Sequence, residues 1–277
     1  MAMKKKTKGN ITAPSLPGKD MLAEVNNNAA GNIYNSLFAK NRKVEYDNKD
    51  IALVNIRTNP DNQIFRAMDD DEDIRILAED IKRNGLMHNL VVFPEQEEGS
   101  TVYVLLSGER RFRALNYLQE KGDATWNIVN CNVVTTPLTE NEKKVLLYSA
   151  NLQVRGGFSD EAIRRQAIAE FITCLQREPY NMSREEALNA TKSVSTVNPR
   201  TIERDARIEE KLKGKLKTLL NDKFLTRSEC ETYLRFEEDK QDEIANRFEK
   251  LQAVDCHSDD AESAGKNYVE VLRDTLH

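Results

Sequence analysis

One segment, residues 102–118, restricts the fold more than any other. Val102-Tyr103-Val104-Leu105-Leu106 alternates like a strand, Gly108 follows, and Ala114-Leu115-Asn116-Tyr117-Leu118 has helical spacing. The order is strand, tight turn, helix. The glycine lets the backbone turn sharply and lets a ligand approach closely. The first turn of the helix offers unpaired N–H groups and a positive dipole end. Three arginines within four residues, Arg110, Arg111 and Arg113, add forked, permanently charged donors there. Ser107, Gly108, Glu109 and these arginines therefore read as a site for a polyanion, phosphates in the first place. A solvated charge run is the competing reading, because cations at a helix start oppose the dipole.

Composition bounds the remainder. The chain has 277 residues, enough for two modest domains, with 31% charged and 39% hydrophobic residues. That balance suits a soluble, helix-rich protein. No apolar run is long enough to span a membrane. The lysine-rich start has no apolar core behind it and so is not a secretory signal, which makes the cytoplasm the expected location. Cys131, Cys174, Cys230 and Cys256 have no paired ligand spacing and read as free thiols. The net charge of −5 excludes a uniformly basic nucleic-acid coat, so any DNA contact has to come from a local patch.

Four regions follow along the chain. Residues 1–48 read as a basic, polar, flexible tail in which 33–38, Ile33 to Phe38, is a candidate docking element for a partner. Residues 49–155 form a small mixed α/β unit. It has a strand over 51–56, a turn at Asn59-Pro60, and a helix that opens on Asp69-Asp70-Asp71 and closes at Asn84-Gly85. A strand at 90–93, a hairpin loop over 95–100, and strand character at 126–129 and 131–134 complete it. Residues 156–250 are helical, and 251–277 read as a linker with a short terminal helix.

Within the helical region, Ser159 is the expected N-cap of one helix and Ser183 with Glu186 forms a capping box for the next. Asn198 and Pro199 open a further helix as N-cap and first residue. The last two make a helix-turn-helix, with the second as recognition helix. Ile202, Ala206 and residues 208–212 point inward. Arg200, Thr201, Arg204 and Arg207 lie where base edges and phosphates are reached. The competing reading is an ordinary amphipathic helix, with Glu203, Asp205 and Glu209 pairing the arginines on a solvated face. Thr226 is the expected cap of a later helix.

Gly108-Glu109-Arg110-Arg111-Phe112-Arg113-Ala114 resembles the GERRxRA box of the ParB/RepB partition-protein family. Asn59-Pro60 with Phe65-Arg66 resembles its Asn-Pro…Pro-Arg segment, with Phe65 in place of proline. Gly85-Leu86-Met87-His88-Asn89-Leu90-Val91-Val92 resembles its first box, with His88 for glutamine and Asn89 for proline. Ser149-Ala150-Asn151-Leu152-Gln153-Val154-Arg155 resembles its third box, Glu-Asn-x-x-Arg, with Ala150 for the glutamate and Arg155 one place late.

The resemblance implies an α+β protein, a ParB/sulfiredoxin-like N-terminal domain followed by an all-α helix-turn-helix domain. It also implies a site-specific DNA-binding protein of plasmid or chromosome partition with CTP as switch ligand, usually with Mg2+. Gly108 to Arg113 would hold the phosphates, Gly85, Leu86 and His88 would line the nucleotide, and Asn151 would help place the metal. Ala150 replaces the residue the family uses for metal binding and hydrolysis, so binding is expected with impaired turnover. Implied partners are double-stranded DNA, a ParA-like ATPase and a second copy of the chain, on a plasmid or nucleoid. Sulfiredoxin-type thiol chemistry is not expected, because Glu109 stands where the reactive cysteine would be. The alternatives are a CTPase or nuclease on the same fold, with residues 69–73 as acids, and a KorB-like transcriptional repressor without a segregation role.

Overall fold

The computed structural model describes residues 44–66, 70–154, 158 and 160–255. In strand β3 (Leu90–Glu97) the first four residues are all buried, the pattern of a strand covered on both faces. Leu90 and Val92 enter one core, Val91 and Phe93 another. Strand β4 (Ser100–Ser107) divides in the same way, Leu105 to the first core and Val104 and Leu106 to the second. With β1 (Tyr46–Ala52), β2 (Ile56–Arg57) and β5 (Ile128–Val134) they form a mixed five-stranded sheet of order β1-β5-β3-β4-β2. β1 is antiparallel to β5 and β3 to β4, while β3–β5 and β2–β4 are parallel.

Helices cover both faces. α1 (Gln63–Arg66) is one short turn; α2 (Asp71–Asn84) and α3 (Glu109–Glu120) close the first face through Ile74, Ala78, Ile81, Phe112, Leu115 and Leu118. The second face is closed by α4 (Glu140–Val154) and α5 (Glu161–Gln176), with Val145, Leu147, Ile168 and Phe171 in the same core as Val104 and Leu106. Phe65 is fully buried there, its ring 5.7 Å from Tyr148 and 6.4 Å from Phe158. The chain continues through α6 (Arg184–Val194), α7 (Pro199–Lys211), α8 (Gly214–Asn221), α9 (Arg227–Tyr233) and α10 (Glu238–Asp255). A third core of Ile208, Leu212, Leu216, Tyr233 and Phe248 holds the last four together. No helix among the described residues is long and apolar enough to cross a membrane.

The expected caps form. Ser183 and Glu186 make a reciprocal capping box, Thr226 and Glu229 another, and Asn198 accepts from Arg200 N at 2.9 Å with Pro199 opening α7. Elsewhere the boundaries move. The first strand runs over Tyr46–Ala52, and the expected strand 51–56 is broken by a 3-10 turn, Leu53–Asn55, which buries Leu53. The 95–100 loop contracts to a two-residue turn, Glu98 (φ 47°) and Gly99 (φ 81°), because left-handed residues match strand twist in a short hairpin. Trp126 and Asn127 belong to a 3-10 turn, Ala124–Asn127, ahead of β5. The N-cap of α5 is Asp160, which accepts from Ala162 N and Ile163 N at 2.7 and 3.1 Å; Ser159 lies outside the described residues. Residues 251–255, expected as linker, continue α10. The 33–38 segment and the expected terminal helix also lie outside the described residues.

One packing feature has no local sequence signature. Asp205 on α7 is completely buried, its carboxylate 2.7 Å from Arg164 Nε and 3.7 Å from Arg227 Nη1. Burial pushes its pKa up while the guanidinium groups oppose that. Beside it, buried Arg165 meets Asn221 Oδ1 at 2.6 Å and Glu209 at 3.4 Å. Asp205 and Glu209 therefore tie α7 to α5, α8 and α9 rather than occupying a solvated face.

Cys131, Cys174 and Cys230 are buried free thiols, pushed up to about 12, 11 and 12 chiefly by desolvation. None is disposed to act as a thiolate.

Candidate functional site

The turn between β4 and α3 fits glycine and little else. Gly108 is the N-cap of α3 at φ 103°, ψ 21°, and an added Cβ would stand 2.7 Å from Leu90 Cδ2. Phe112 N donates to Gly108 O at 2.8 Å and closes the first turn, so the N–H groups ahead of it point out of the helix end. Ser107 is half-buried at the end of β4 and Glu109 is buried.

The three arginines diverge. Arg111 turns back into the fold and donates to the carbonyls of His88 and of Asn89, the latter at 2.9 Å. Desolvation lowers its pKa from the ordinary arginine value. Arg110 and Arg113 instead face the acidic first turn of α2, Arg113 Nη2 at 3.0 Å from Asp71 Oδ1 and Arg110 Nη2 at 4.0 Å from Asp73 Oδ2. Asp70 caps α2 by accepting from Glu72 N at 3.1 Å. The acids at 70–73 thus serve the helix start and the arginines; Asp69 lies outside the described residues.

Through Arg111 the 85–89 turn is joined to α3. Gly85 closes α2, Leu86 packs against the first core, and His88 is exposed. Asn89 Nδ2 donates to Asn130 Oδ1 at 2.7 Å and to Asn132 Oδ1 at 3.3 Å, and Asn130 donates to Asp50 at 2.9 Å. Sequence reading passed over this polar ladder, which runs from the residue ahead of β3 across β5 to β1. Its signal is Asn130 and Asn132 spaced by two in an otherwise apolar strand, which puts both on one face.

The third box meets the Asn59-Pro60 turn. Asn151 Nδ2 donates to Leu147 O at 3.0 Å and lies 3.4 Å from Asn62 Oδ1, and Lys144 pairs with Asp61 at 3.2 Å. Ala150 is buried and supplies no ligand. Arg155 is outside the described residues. Among the described residues no group of three or more His, Cys, Asp and Glu is placed to hold a metal ion.

The second candidate surface lies on α6 and α7, joined by residues 195–198. Arg200, Thr201, Arg204 and Arg207 line one open cleft of about 520 Å³ together with Arg184, Leu188, Glu203 and Glu231. Glu231, on α9, was not singled out from sequence. One of its oxygens accepts from Arg204 Nη2 at 2.6 Å and the other from Arg207 Nη2 at 2.5 Å. These bonds, Arg204's first, hold its carboxyl below the usual carboxylate range.

Residues 37–142 match the family model of the ParB N-terminal domain. The chain carries a ParB N-terminal domain over those residues. Two solved ParB N-domains are similar to it. One is a pNOB8-like ParB N-domain, 12% identical at a TM-score of 0.44, covering 77% of this chain and 80% of that one. The other is the C2221 form of such a domain, 12% identical at 0.43, covering 80% and 88%. No curated protein matches the sequence. In the ParB domain found here the strand–Gly108–helix turn, the 85–89 turn and α2 fall inside the matched segment, and the Asn151 region and α7 fall outside it.

Proposed function

We propose that this chain is a site-specific duplex DNA-binding protein of the partition type, with CTP acting as a switch ligand on its N-terminal domain. The observation that carries the DNA-binding half is convergence. Arg200, Thr201, Arg204 and Arg207, at the start and flank of the second helix of a tight pair, all line one open cleft. A helix presented that way reaches base edges with its first residues and phosphates with its flank. The ParB N-terminal domain supplies the partition context. The partners this reading implies are double-stranded DNA, a ParA-like ATPase and a second copy of the chain, in the cytoplasm on a plasmid or nucleoid.

The nucleotide fits at the arginine turn. Gly108 brings the backbone close, the α3 N-terminus directs N–H groups outward, and Arg110 and Arg113 stand within reach of carboxylates that phosphates would replace. Arg111 acts at one remove, by fixing the 85–89 turn against α3. A magnesium ion held by protein carboxylates does not fit, since Ala150 offers none and the acids of α2 face arginines. Mg2+ carried on the phosphates with its own waters needs no such ligands. We assign no hydrolytic step to this chain. The α2 acids, engaged as a cap and as arginine partners, weigh against the nuclease alternative as well.

The test is selection of bound duplexes from a randomised library, with and without CTP. One enriched motif is expected, retained by Arg110→Ala and lost in Arg200→Ala. Recovery of no motif under either condition would sink the proposal.

A further inference from the structure

Nearly every basic side chain of the α7 cleft already faces a carboxylate from its own fold. Arg184 pairs with Glu210, and Arg204 and Arg207 share Glu231. Arg200 has no ion pair among the described residues. Glu231 differs from the other acids in two ways. It comes from α9, not from α6 or α7, and its two oxygens each hold a separate arginine. The side chains are 39% (Arg204), 53% (Arg207) and 22% (Glu231) exposed, so the cluster is open to exchange with an incoming anion.

We infer that Glu231 is an internal competitor for DNA phosphates, a specificity-determining residue that suppresses binding of the α7 arginines to arbitrary duplex. The inference rests on the DNA-binding reading above and deepens it. Phosphate oxygens and carboxylate oxygens use the same guanidinium donors, so each arginine fork serves one anion at a time. Binding to arbitrary sequence is almost wholly this phosphate term. A carboxylate that occupies two arginines therefore cancels a large part of its driving force. Base-edge contacts from Arg200 and Thr201 lie outside that competition and add only on a matching site. Arg204 and Arg207, three residues apart on one helix, share a face, which is why one carboxylate reaches both. A glutamate carboxyl is charged at neutral pH, so the competition operates there, and the two arginine hydrogen bonds extend it to lower pH.

The experiment is fluorescence anisotropy of the full chain with a random-sequence duplex over a salt series. Glu231→Gln is expected to tighten binding by about fivefold to tenfold at low salt and to steepen the salt dependence by ~1–2 ions. Glu243→Gln is the control. It removes the same charge from an exposed cluster on α10, where Glu243 meets Lys240 at 2.7 Å and Arg247 at 2.8 Å. It should change binding far less. Glu231→Ala repeats the test with a different replacement, and thermal melts establish that both variants fold.

Equal affinities for Glu231→Gln and Glu243→Gln, or weaker binding by Glu231→Gln, overturn the inference. If Arg200→Ala still weakens binding to a duplex bearing the selected motif in that case, the DNA-binding reading of α7 stands and only the role of Glu231 is lost. If neither Arg200→Ala nor Arg204→Ala weakens binding to the motif-bearing duplex, both fall.

Discussion

Gly108 meets two constraints at once, a left-handed backbone and a neighbour too close for a side chain. With φ 103° and Leu90 Cδ2 2.7 Å from where a Cβ would lie, Gly108→Ala forces both a strained dihedral and a shift in the first core. A loss of ~1–3 kcal/mol in urea unfolding is expected; unchanged stability would mean the turn relaxes freely. Asp205 is the opposite kind of residue, costly to remove because of what it leaves behind. Asp205→Ala removes the nearest carboxylate from the nearly buried Arg164 guanidinium and leaves it Glu161 at 3.7 Å, with an expected loss of ~3–5 kcal/mol measured in the same way. A loss under ~1 kcal/mol would show that water reaches Arg164 easily. Gly108 was legible in the sequence because its requirement is local: an apolar strand ends, a glycine follows and a helix starts. Asp205 was not. It sits among charged residues on α7, and its partner is 41 positions away on α5. Nothing within a helical turn distinguishes a buried aspartate from a solvated one. Glu231 was missed for the same reason, since its arginines are 27 and 24 positions away.

Helix starts were the most legible elements. Ser183, Asn198 and Thr226 each cap where residue type and spacing placed them, because a cap is decided by side-chain oxygens within three residues. Ser183→Ala should cost about 1 kcal/mol, read as a lower midpoint in thermal circular dichroism. An unchanged midpoint would mean that tertiary packing alone sets the start of α6. Strand ends were less legible, because tertiary contacts decide them. Leu53 turns inward and ends β1, leaving Val54 77% exposed, although both fit an alternating pattern equally well. The Asn89–Asn130–Asp50 ladder likewise joins the 85–89 turn to β5 and β1, and its register is invisible until the strands pair.

The sheet couples the matched ParB segment to the helices that follow it. Val91, Phe93, Val104 and Leu106 are covered by α4 and α5, most of which lies beyond residue 142. A fragment ending at 142 would leave that face open. It should bind a hydrophobic dye such as ANS and self-associate, whereas the full chain should not. A monomeric, dye-silent fragment would mean that the second face closes on itself. The four consecutive apolar residues at 90–93 were the sequence sign of a doubly covered strand, but which helices supply the cover becomes visible only in the packing. The proposed polyanion site belongs to the same scale. The 85–89 turn, α2 and α3 converge on it from separate stretches, with Arg111 half-buried as a strut, Arg113 half-buried beside Asp71 and Arg110 exposed. The most direct measurement is calorimetric titration of the full chain with CTP, with ATP and GTP as comparisons and Mg2+ present and absent. Saturable, CTP-selective binding that is weakened in Arg110→Ala and Arg113→Ala is the expected result. No binding of any nucleotide would contradict it and leave the arginine turn a structural feature of the fold.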